Sequence, residues 1–459
     1  MSGRGGTARC TMFAAALLLL AATALADVAA SWHEGFGPPP AGLGLDGDPR
    51  ALMHDAAGRL YCGGSFSQAG PVTTWFVARL ERQAGSPVWS TLGDMDNRVD
   101  ALAAWGDSVL AGGRFTLAGG EEVNRVAVFH AGEWRPVGDP FAWSWGHVLS
   151  LTIHEGTPWA AGSGFVVRWT GTAWEAVTGA GFSGDVFALA SFNGRVYATG
   201  AFSTIVEPSG ASVASSHIAA WDGTWQSLGS GLNGTGYALE VWNNQLVVGG
   251  VFSSPGPLLA GWAGGSWTAL GPALDGNYVI ALAKWGTRLL VGGNLNGGGG
   301  VSLWDVAYLD GGIWNAMGGG VDGQVRAISA QIEDVVVGGS FLNAGGVASA
   351  HIGMWIDPAV GVEDGPPTVA SLDQPAPNPF NPATTVRFRL ASPVHVSIDI
   401  HALDGRHVAT IASGQFAGGL HAVVWRGRDD DDHAVPSGCY VVRLRAGDED
   451  LTRRITLLR

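Results

Sequence analysis

Acidic residues recur near the ends of a repeated unit, and they are the first candidates for chemistry in this sequence. They are Asp46, Asp96, Asp275 and Asp322, with Asn233 at the corresponding place in another unit. A ring of such side chains on one face would be a candidate Ca²⁺ site, which needs six to eight oxygen ligands around one point. Because Asp and Asn also form tight turns, and so many oxygens must converge for calcium, the turn interpretation is favoured.

Two histidines and an acidic run are further candidates. His217 and His351 occupy equivalent positions, each directly before an Ile that opens an aromatic-ended strand. Two histidines on different units are more typical of loop residues than of a metal pair. The run Asp429–Asp432 is expected in a solvated hairpin loop, with a weak cation site as the alternative.

Motifs that carry catalysis are absent from the sequence. It contains no His-Glu-x-x-His, no paired-cysteine motif, no Gly-x-Ser-x-Gly and no phosphate loop. A catalytic site built from repeated units would need acids or histidines converging from several of them. The matched strand positions carry Ala, Val, Leu and Gly instead, so the sequence assigns no catalytic, cofactor-binding or metal-ligating residue.

The composition limits the class of protein. Of 459 residues, 72 are Gly and 20 are Trp, whereas only 14% are charged. Such a chain is expected to have many tight turns, a large core and few helices. The formal charge of −14 argues against nucleic acid and anionic membranes as partners.

Residues 1–26 have the pattern of a secretory signal peptide. Arg4 and Arg9 precede the apolar run 12–22, and the small residues of 24–26 offer a cleavage site. The run is too short to span a bilayer, and no later stretch is long and apolar enough to do so. Cleavage would remove both arginines and no acid, which would change the formal charge from −14 to −16.

A unit of 38 to 50 residues is repeated seven times. Each copy contains an apolar strand that ends in Gly-Gly or a close variant. The second glycines are Gly64, Gly113, Gly162, Gly200, Gly250, Gly293 and Gly339. An apolar strand precedes each pair, and an aromatic-ended strand, a turn such as Asp222-Gly223 and a strand led by Trp follow most of them.

Four short antiparallel strands per unit predict a β-propeller, because sheets that pack radially bury faces that no unit buries alone. The fourth-strand tryptophans, at positions 89, 134, 174, 225, 267 and 314, are expected to pack between neighbouring sheets. The seventh unit stops after Trp355 without a fourth strand, whereas Trp32 opens a segment that resembles one. The sequence therefore predicts an all-β, seven-bladed propeller over residues 27–358, closed by the N-terminal strand.

The loops that follow the Gly-Gly strands are expected on one face, as insertions are in repeat folds. The longest is Phe202–His217, and the others include Phe66–Trp75, Phe115–Asn124 and Phe341–His351. If the protein has a ligand, this loop face is where we expect it.

The repeated pattern resembles the kelch repeat and related bacterial propeller repeats from about Trp32 to Trp355. The Gly-Gly strand at 249–250, the turn at 222–223 and the tryptophan that follows it carry the resemblance. It implies a propeller but no particular activity, because propellers host binding, scaffolding and catalysis alike. The third unit departs most, since only 12 residues separate Gly162 from Trp174.

The last part of the chain differs in composition. Residues 359–377 are rich in Pro, Gly and acid, which predicts a linker. Residues 378–459 alternate apolar and polar side chains, which predicts a small β-sandwich. Because Cys62 and Cys439 fall in different predicted domains, no disulfide framework is expected.

This C-terminal segment resembles the sorting domain of type IX secretion cargo, which overlaps the FlgD-type immunoglobulin-like domain. The matching parts are Asn378-Pro379-Phe380-Asn381-Pro382, Leu403-Asp404-Gly405-Arg406, Pro436-Ser437-Gly438-Cys439-Tyr440 and the basic-apolar last strand. His401 stands where the family usually has Tyr. The resemblance implies recognition by type IX-like secretion machinery and export across an outer membrane, often with removal of the domain. The alternative is a structural sandwich that no secretion machinery recognises.

Together these patterns predict a secreted protein, or one on the outer surface, of a Gram-negative-type bacterium. Its propeller is expected to be a binding module for a glycan or a protein. The alternative is an extracellular hydrolase or lyase that acts on polysaccharide. No cofactor is expected, calcium being the one alternative, and the sequence does not identify the ligand.

Overall fold

The structure is a computed structural model that describes residues 30–83, 86–138, 146–331, 334–356, 370–372, 375, 378, 380–390, 393–402, 406–417, 419–447 and 449–458. The predicted signal peptide, most of the predicted linker, Pro379 and residues 403–405 lie outside these ranges. Every regular element in the described residues is a β-strand. The chain divides into two compact units between residues 360 and 361.

Seven antiparallel sheets dominate the described part of the first unit. Its strands as far as residue 176 are β1 (Ser31–Trp32), β2 (Asp48–His54), β3 (Leu60–Ser65), β4 (Gln68–Ala69), β5 (Val72–Thr73), β6 (Val77–Gln83), β7 (Ser86–Thr91), β8 (Val99–Trp105), β9 (Ser108–Gly113), β10 (Leu117–Ala118), β11 (Glu121–Glu122), β12 (Val126–His130), β13 (Glu133–Pro136), β14 (Val148–His154), β15 (Thr157–Gly162), β16 (Phe165–Trp169) and β17 (Trp174–Ala176).

The remaining strands of this unit are β18 (Gly181–Phe182), β19 (Val186–Phe192), β20 (Arg195–Gly200), β21 (Thr204–Val206), β22 (Ser212–Ala214), β23 (Ile218–Trp221), β24 (Trp225–Ser227), β25 (Gly236–Trp242), β26 (Gln245–Gly250), β27 (Leu259–Ala263), β28 (Ser266–Ala269), β29 (Leu274–Trp285), β30 (Arg288–Gly298), β31 (Val301–Ser302), β32 (Val306–Asp310), β33 (Ile313–Ala316), β34 (Gln324–Ala330), β35 (Asp334–Ser340), β36 (Asn343–Ala344), β37 (Val347–Ala348) and β38 (Ile352–Ile356).

Sheets 1 to 7 have the strand orders β2-β3-β6-β7, β8-β9-β12-β13, β14-β15-β16-β17, β19-β20-β23-β24, β25-β26-β27-β28, β29-β30-β32-β33 and β34-β35-β38-β1. The first strand of each sheet packs against the first strand of the next, and β34 of sheet 7 packs against β2 of sheet 1. Sheet 7 takes its fourth strand from the N-terminal segment, where Trp32 pairs with Trp355. The short strands outside these orders lie in the connections.

In six of the seven sheets a tryptophan of the fourth strand connects neighbouring sheets, whereas the buried Trp134 of sheet 2 has no hydrogen-bond partner for its indole N–H among the described residues. The connecting tryptophans share one contact. The indole N–H of each donates a hydrogen bond to a backbone carbonyl that follows the fourth strand of the preceding sheet. These pairs, 2.8 to 3.2 Å apart, are Trp89–Leu43, Trp174–Val137, Trp225–Val177, Trp267–Leu228 and Trp314–Pro272. Trp32 makes the same bond to Met317, at 2.8 Å, from its place in sheet 7. For these residues the predicted packing between sheets is confirmed.

The Gly-Gly pair is required by two close approaches of the backbone to its surroundings. A Cβ on Gly112 in sheet 2 would lie 2.6 Å from Val148 Cγ1 in sheet 3. A Cβ on Gly113 would lie 2.2 Å from the backbone oxygen of Arg98, which precedes the first strand of the same sheet. Since side chains do not fit at such distances, the first glycine sets the spacing between sheets and the second sets the spacing within one.

The described residues of the second unit form a β-sandwich, as predicted. Its strands are β39 (Ala370–Leu372), β40 (Thr384–Leu390), β41 (Val394–Ala402), β42 (His407–Phe416), β43 (Gly419–Trp425), β44 (Gly438–Ala446) and β45 (Glu449–Leu457). One sheet is β39-β40-β43 and the other is β42-β41-β44-β45. Phe388 from the first sheet and Ile398, Ile400 and Leu444 from the second are fully buried in one shared core.

Among the described residues, no helix exists that has the length and apolar character to cross a bilayer. Cys62 is buried in the first unit and Cys439 is exposed in the second, and both thiols are free.

Candidate functional site

Each first strand of the seven sheets contains a β-bulge that leaves one residue out of the pairing. In sheet 1 the register shifts between Pro49 and Ala51, and in sheet 2 it shifts between Val99 and Ala101. The other five sheets have the same shift at the matching place. The seven bulged residues are Arg50, Asp100, Leu149, Phe187, Tyr237, Ile280 and Arg326, and all seven line one pocket. A bulge redirects a side chain, and here it directs one from every sheet to the same place.

This pocket, called the channel pocket below, has a volume of about 150 Å³ and two chemically different sides. Sheets 7, 1 and 2 contribute the charged residues Arg326, Arg50 and Asp100, whereas sheets 3 to 6 contribute only apolar and aromatic residues. On the apolar side the ring centroids of Phe187 and Tyr237 are 5.2 Å apart, with the planes tilted by 51°. The pocket can therefore contact an ionic group and an apolar group at once.

Three arginines surround the single carboxylate of the channel pocket. The Asp100 side chain is only 5% exposed, and its Oδ1 lies 2.7 Å from Arg98 Nε and 3.9 Å from Arg50 Nε. Arg114 Nε lies 4.0 Å from Asp100 Oδ2. Burial, followed by the nearby charge of Arg98, lowers the pKa of Arg50, while Asp100 opposes that change.

Arg326 is held in place by a second group of polar residues. Its Nε lies 3.3 Å from Asp48 Oδ2 and donates to Ser340 Oγ at 3.2 Å. The Ser340 hydroxyl donates to Asp48 Oδ2 at 2.7 Å, and His351 Nδ1 lies 3.1 Å from Asp48 Oδ1. Asp48 is thus engaged by three groups, and its position fixes that of Arg326.

The positive groups around the channel pocket outnumber the carboxylates. His147 Nε2 lies 3.3 Å from Arg114 Nη2. Burial and then the charge of Arg114 lower the pKa of His147, while Asp100 and Asp185 oppose that change, so its neutral form is favoured. Counting Asp185 with Asp48 and Asp100, three carboxylates face four arginines, which are Arg50, Arg98, Arg114 and Arg326.

The acids predicted to form turns hold the loops that follow the second strands. Asp96 Oδ1 accepts hydrogen bonds from the backbone N–H of Thr116 at 2.6 Å and of Leu117 at 2.9 Å, and its Oδ2 accepts one from the Thr116 hydroxyl. The other residues with this role and their partners are Asp46 with Ser67 and Gln68, Ser183 with Ser203 and Thr204, Asn233 with Ser253 and Ser254, and Asp322 with Leu342 and Asn343. These side chains lie in bends between sheets, as expected, but their oxygens bind loop amides.

Hydrogen bonding determines the ionisation of these acids. Burial alone would raise the pKa of Asp96, but the hydrogen bonds from Thr116 and Leu117 outweigh it and lower the pKa. The same balance lowers the pKa of Asp46 and Asp322. Asp275 differs because it lies inside β29, paired with Gly297, so the prediction that it forms a tight turn is wrong.

His217 and His351 are loop residues with left-handed backbone, at φ 65° and 62°. The Nδ1 of each lies 3.1 Å from a carbonyl oxygen, that of Gly200 and that of Gly339 respectively. Sequence reasoning placed both correctly in loops but missed the contact of His351 with Asp48.

The acidic run Asp429–Asp432 lies in a mostly exposed loop between β43 and β44, as predicted. Arg428 and Ala434 pair as an antiparallel β-bridge and close this loop in the manner of a hairpin. Asp429 Oδ1 accepts the backbone N–H of His433 at 2.8 Å, and Asp430 Oδ1 accepts that of Thr410 at 2.8 Å. Within the described ranges, no three His, Cys, Asp or Glu side chains converge as a metal site.

The matched strand positions did not reveal the channel pocket, because the bulged residue of each first strand was not among them. The bulged residue lies 13 positions before the second glycine in six units and 14 before it in the first. At that position the chain carries Arg, Asp, aromatic and aliphatic residues, so the expectation of only Ala, Val, Leu and Gly is wrong. Counting back from the glycine pair would have found this position.

The comparisons with known proteins bear on the two units separately. Residues 378–450 match the FlgD Ig-like domain family. No curated protein matches the chain in sequence. The described residues thus combine an all-β fold of propeller-like sheets with a C-terminal region that matches the FlgD Ig-like family.

Solved structures of low sequence identity are similar to this chain. The WD40 β-propeller domain of Doa1 has a TM-score of 0.48 at 12% identity, over 72% of this chain and 97% of that one. The extracellular domain of the one-component system BT4673 from B. thetaiotaomicron has a TM-score of 0.45 at 10% identity, over 90% of this chain and 56% of that one. This chain thus spans little more than half of the BT4673 domain.

A third similar structure is PorZ, an essential bacterial surface component of the type-IX secretion system of Porphyromonas gingivalis. Its TM-score is 0.37 at 12% identity, over 87% of this chain and 68% of that one.

We expect Asp96→Ala to lower the free energy of unfolding by about 1 kcal/mol at pH 7, because two loop amides lose their acceptor. Asp96→Asn should lose less free energy of unfolding, because an asparagine, Asn233, accepts the same loop hydrogen bonds in another unit. Because folding lowers the pKa of Asp96, the stabilisation from its charge exists above the unfolded pKa of about 3.9 and is lost as the pH falls through the folded pKa.

Urea unfolding of the wild type and both variants at pH 7 and at about pH 3 measures these differences. The advantage of the wild type over Asp96→Asn should shrink at the lower pH. An Asp96→Ala variant as stable as the wild type at pH 7 would show that the loop does not depend on this side chain.

Proposed function

We propose that this chain is a secreted or cell-surface binding protein whose first unit is a closed seven-bladed propeller. The order of the seven sheets supports closure, because sheet 7 packs against sheet 1 as each other sheet packs against the next. A Cβ on Gly338 of sheet 7 would lie 2.5 Å from Pro49 Cγ of sheet 1, which repeats the contact made by Gly112. The fourth strand of sheet 7 comes from the N-terminus and completes the ring.

The convergence of seven bulged residues on one pocket is the observation that carries the binding function. Ligand sites are typically concave, with apolar walls and a few placed polar groups, and the channel pocket has this composition. Packing does not require it, because partly buried charges destabilise a fold unless they are well paired. We propose that a glycan or a protein places one of its groups in this pocket.

A hydrolase or lyase is less well supported than a binding protein. Glycoside hydrolysis normally requires two carboxyl groups with different roles. Among the seven lining residues, only Asp100 carries a carboxylate, and Arg98 already binds it at 2.7 Å. The pocket therefore supplies no acid–base pair of carboxylates.

We further propose that the second unit is a sorting domain for type IX-like export, with domain boundaries at residues 26, 358 and 377. The match of residues 378–450 to the FlgD Ig-like family supports this. Asn378 Oδ1 accepts the backbone N–H of Thr456 at 2.8 Å, and the Phe380 N–H donates to the Thr456 carbonyl at 2.9 Å. The opening motif and the last strand, two parts of the resemblance, thus form one local structure.

A glycan array and capture of surface proteins with the full chain should yield a ligand that depends on the channel pocket. Tyr237→Ala removes an aromatic wall and should weaken binding by about tenfold or more. Trp75→Ala is the matched control, because Trp75 is 49% exposed and does not line that pocket. If binding is lost in Trp75→Ala and kept in Tyr237→Ala, the ligand binds on the loop face and not in the channel pocket. If neither screen yields a ligand, the proposed binding function is contradicted.

Deletion of residues 374–459 should prevent delivery to the cell surface while the N-terminal signal still directs the chain out of the cytoplasm. Protease digestion of intact cells, followed by detection of the propeller unit, measures that delivery. A truncated chain that still reaches the surface would refute the sorting role of the second unit.

A further inference from the structure

We propose that the channel pocket binds a small apolar carboxylate, with its carboxylate between Arg50 and Arg326 and its apolar body against Phe187 and Tyr237. This inference rests on the proposed binding function and adds the chemical class of the ligand. The arginines, the apolar side and the size of the pocket carry it.

The arginine side of the pocket has binding capacity that the protein does not use. Arg50 lies 3.9 Å from Asp100, beyond hydrogen-bond distance, and its buried Nε has no hydrogen-bond partner. Arg98 is closer to that carboxylate, at 2.7 Å. A guanidinium group has five N–H donors in a planar fork that fits a carboxylate with two parallel hydrogen bonds.

The local charge favours an anion over a cation or a neutral group. The whole chain has a formal charge of −14, yet around this pocket four arginines face three aspartates. Three of those arginines lie within 4.0 Å of one carboxylate, that of Asp100, which cannot neutralise them all. A bound anion would relieve their mutual repulsion, whereas a metal cation would increase it.

The other side of the pocket selects an apolar body. Sheets 3 and 6 contribute the aliphatic residues Leu149 and Ile280, and sheets 4 and 5, which lie between them, contribute the rings of Phe187 and Tyr237. The channel pocket is open to solvent, and its volume of about 150 Å³ has room for one aromatic ring or one large apolar side chain.

The same walls disfavour an acidic sugar. A uronate has a carboxylate but also several hydroxyl groups, and each hydroxyl buried without a partner costs free energy. Of the four residues on the apolar side, only Tyr237 has a polar side-chain atom. The favoured ligand chemistry is an apolar carboxylate, either free in solution or at the C-terminus of a peptide.

Isothermal titration calorimetry of the full chain tests this with matched pairs of probes. The first pair is 3-phenylpropionate and 3-phenylpropionamide, and the second is an acetylated peptide that ends in Phe with a free or an amidated C-terminus. Each carboxylate should bind at least about tenfold more tightly than its amide, and added salt should weaken the binding of the carboxylate. The tighter of the two carboxylates identifies the source of the ligand. Galacturonate should bind more weakly than either.

Two arginine variants locate the binding. Arg50→Gln should weaken 3-phenylpropionate by about tenfold or more, and Arg50→Lys should restore part of the affinity. Arg135→Gln is the control, because Arg135 is on β13, is 62% exposed and pairs with Glu133. Thermal unfolding of each variant establishes that it is folded before titration.

Equal binding of acid and amide, tighter binding of galacturonate, no effect of Arg50→Gln or no binding of either carboxylate would each overturn the inference. If the screens yield a neutral ligand whose binding is lost in Tyr237→Ala, the inference of a carboxylate ligand is overturned while the proposed binding function stands. If the proposed binding function itself fails, neither the glycan array nor the protein capture yields a ligand.

Discussion

The contact between a glycine in one sheet and the first strand of the next is the constraint on which the first unit depends. A Cβ on Gly63, Gly112, Gly249, Gly292 or Gly338 would lie 2.5 or 2.6 Å from a side-chain carbon of the following sheet. Sheets 3 and 4 are exceptions, with Ala161 and Thr199 in place of the first glycine. In sheet 4 the first glycine is replaced by Thr199, and its partner in sheet 5 is Gly236, whose Cβ would lie 2.0 Å from Thr199 Oγ1. In this pair the larger residue lies in the preceding sheet and the glycine in the following one.

Because of this packing, the residues that hold neighbouring sheets together differ from the residues that line the channel pocket. Residues on either side of each bulge are held by neighbouring sheets and are mostly Val, Ala or another small residue. The bulged residue points into the channel pocket, so packing between sheets does not restrict its type. Charges are concentrated on three adjacent sheets and apolar groups on the other four, an asymmetry that packing between sheets does not require.

Much of the fold could be predicted from the sequence, because repeats, glycine pairs and fourth-strand tryptophans are local signals that recur. Trp32 was expected to begin a strand of the last unit, and it pairs with Trp355. The channel pocket could not be found in the same way, since a bulge breaks the two-residue alternation without a characteristic residue to mark it. The role of Asp96 was missed for a related reason, because its partners lie 20 and 21 residues later in the chain.

The proposed closed ring would bring Arg326 of sheet 7 beside Arg50 of sheet 1, so the channel pocket depends on it. A disulfide between Ser31→Cys and Ile356→Cys, made in a chain that lacks the native cysteines, tests it most directly. These two positions are paired in register between β1 and β38, and the spacing of paired strand residues suits a disulfide. A closed ring predicts rapid, nearly complete oxidation of the folded chain to a monomeric disulfide, detected by mass spectrometry after proteolysis. Two thiols that stay reduced, or that link only different molecules, would contradict it.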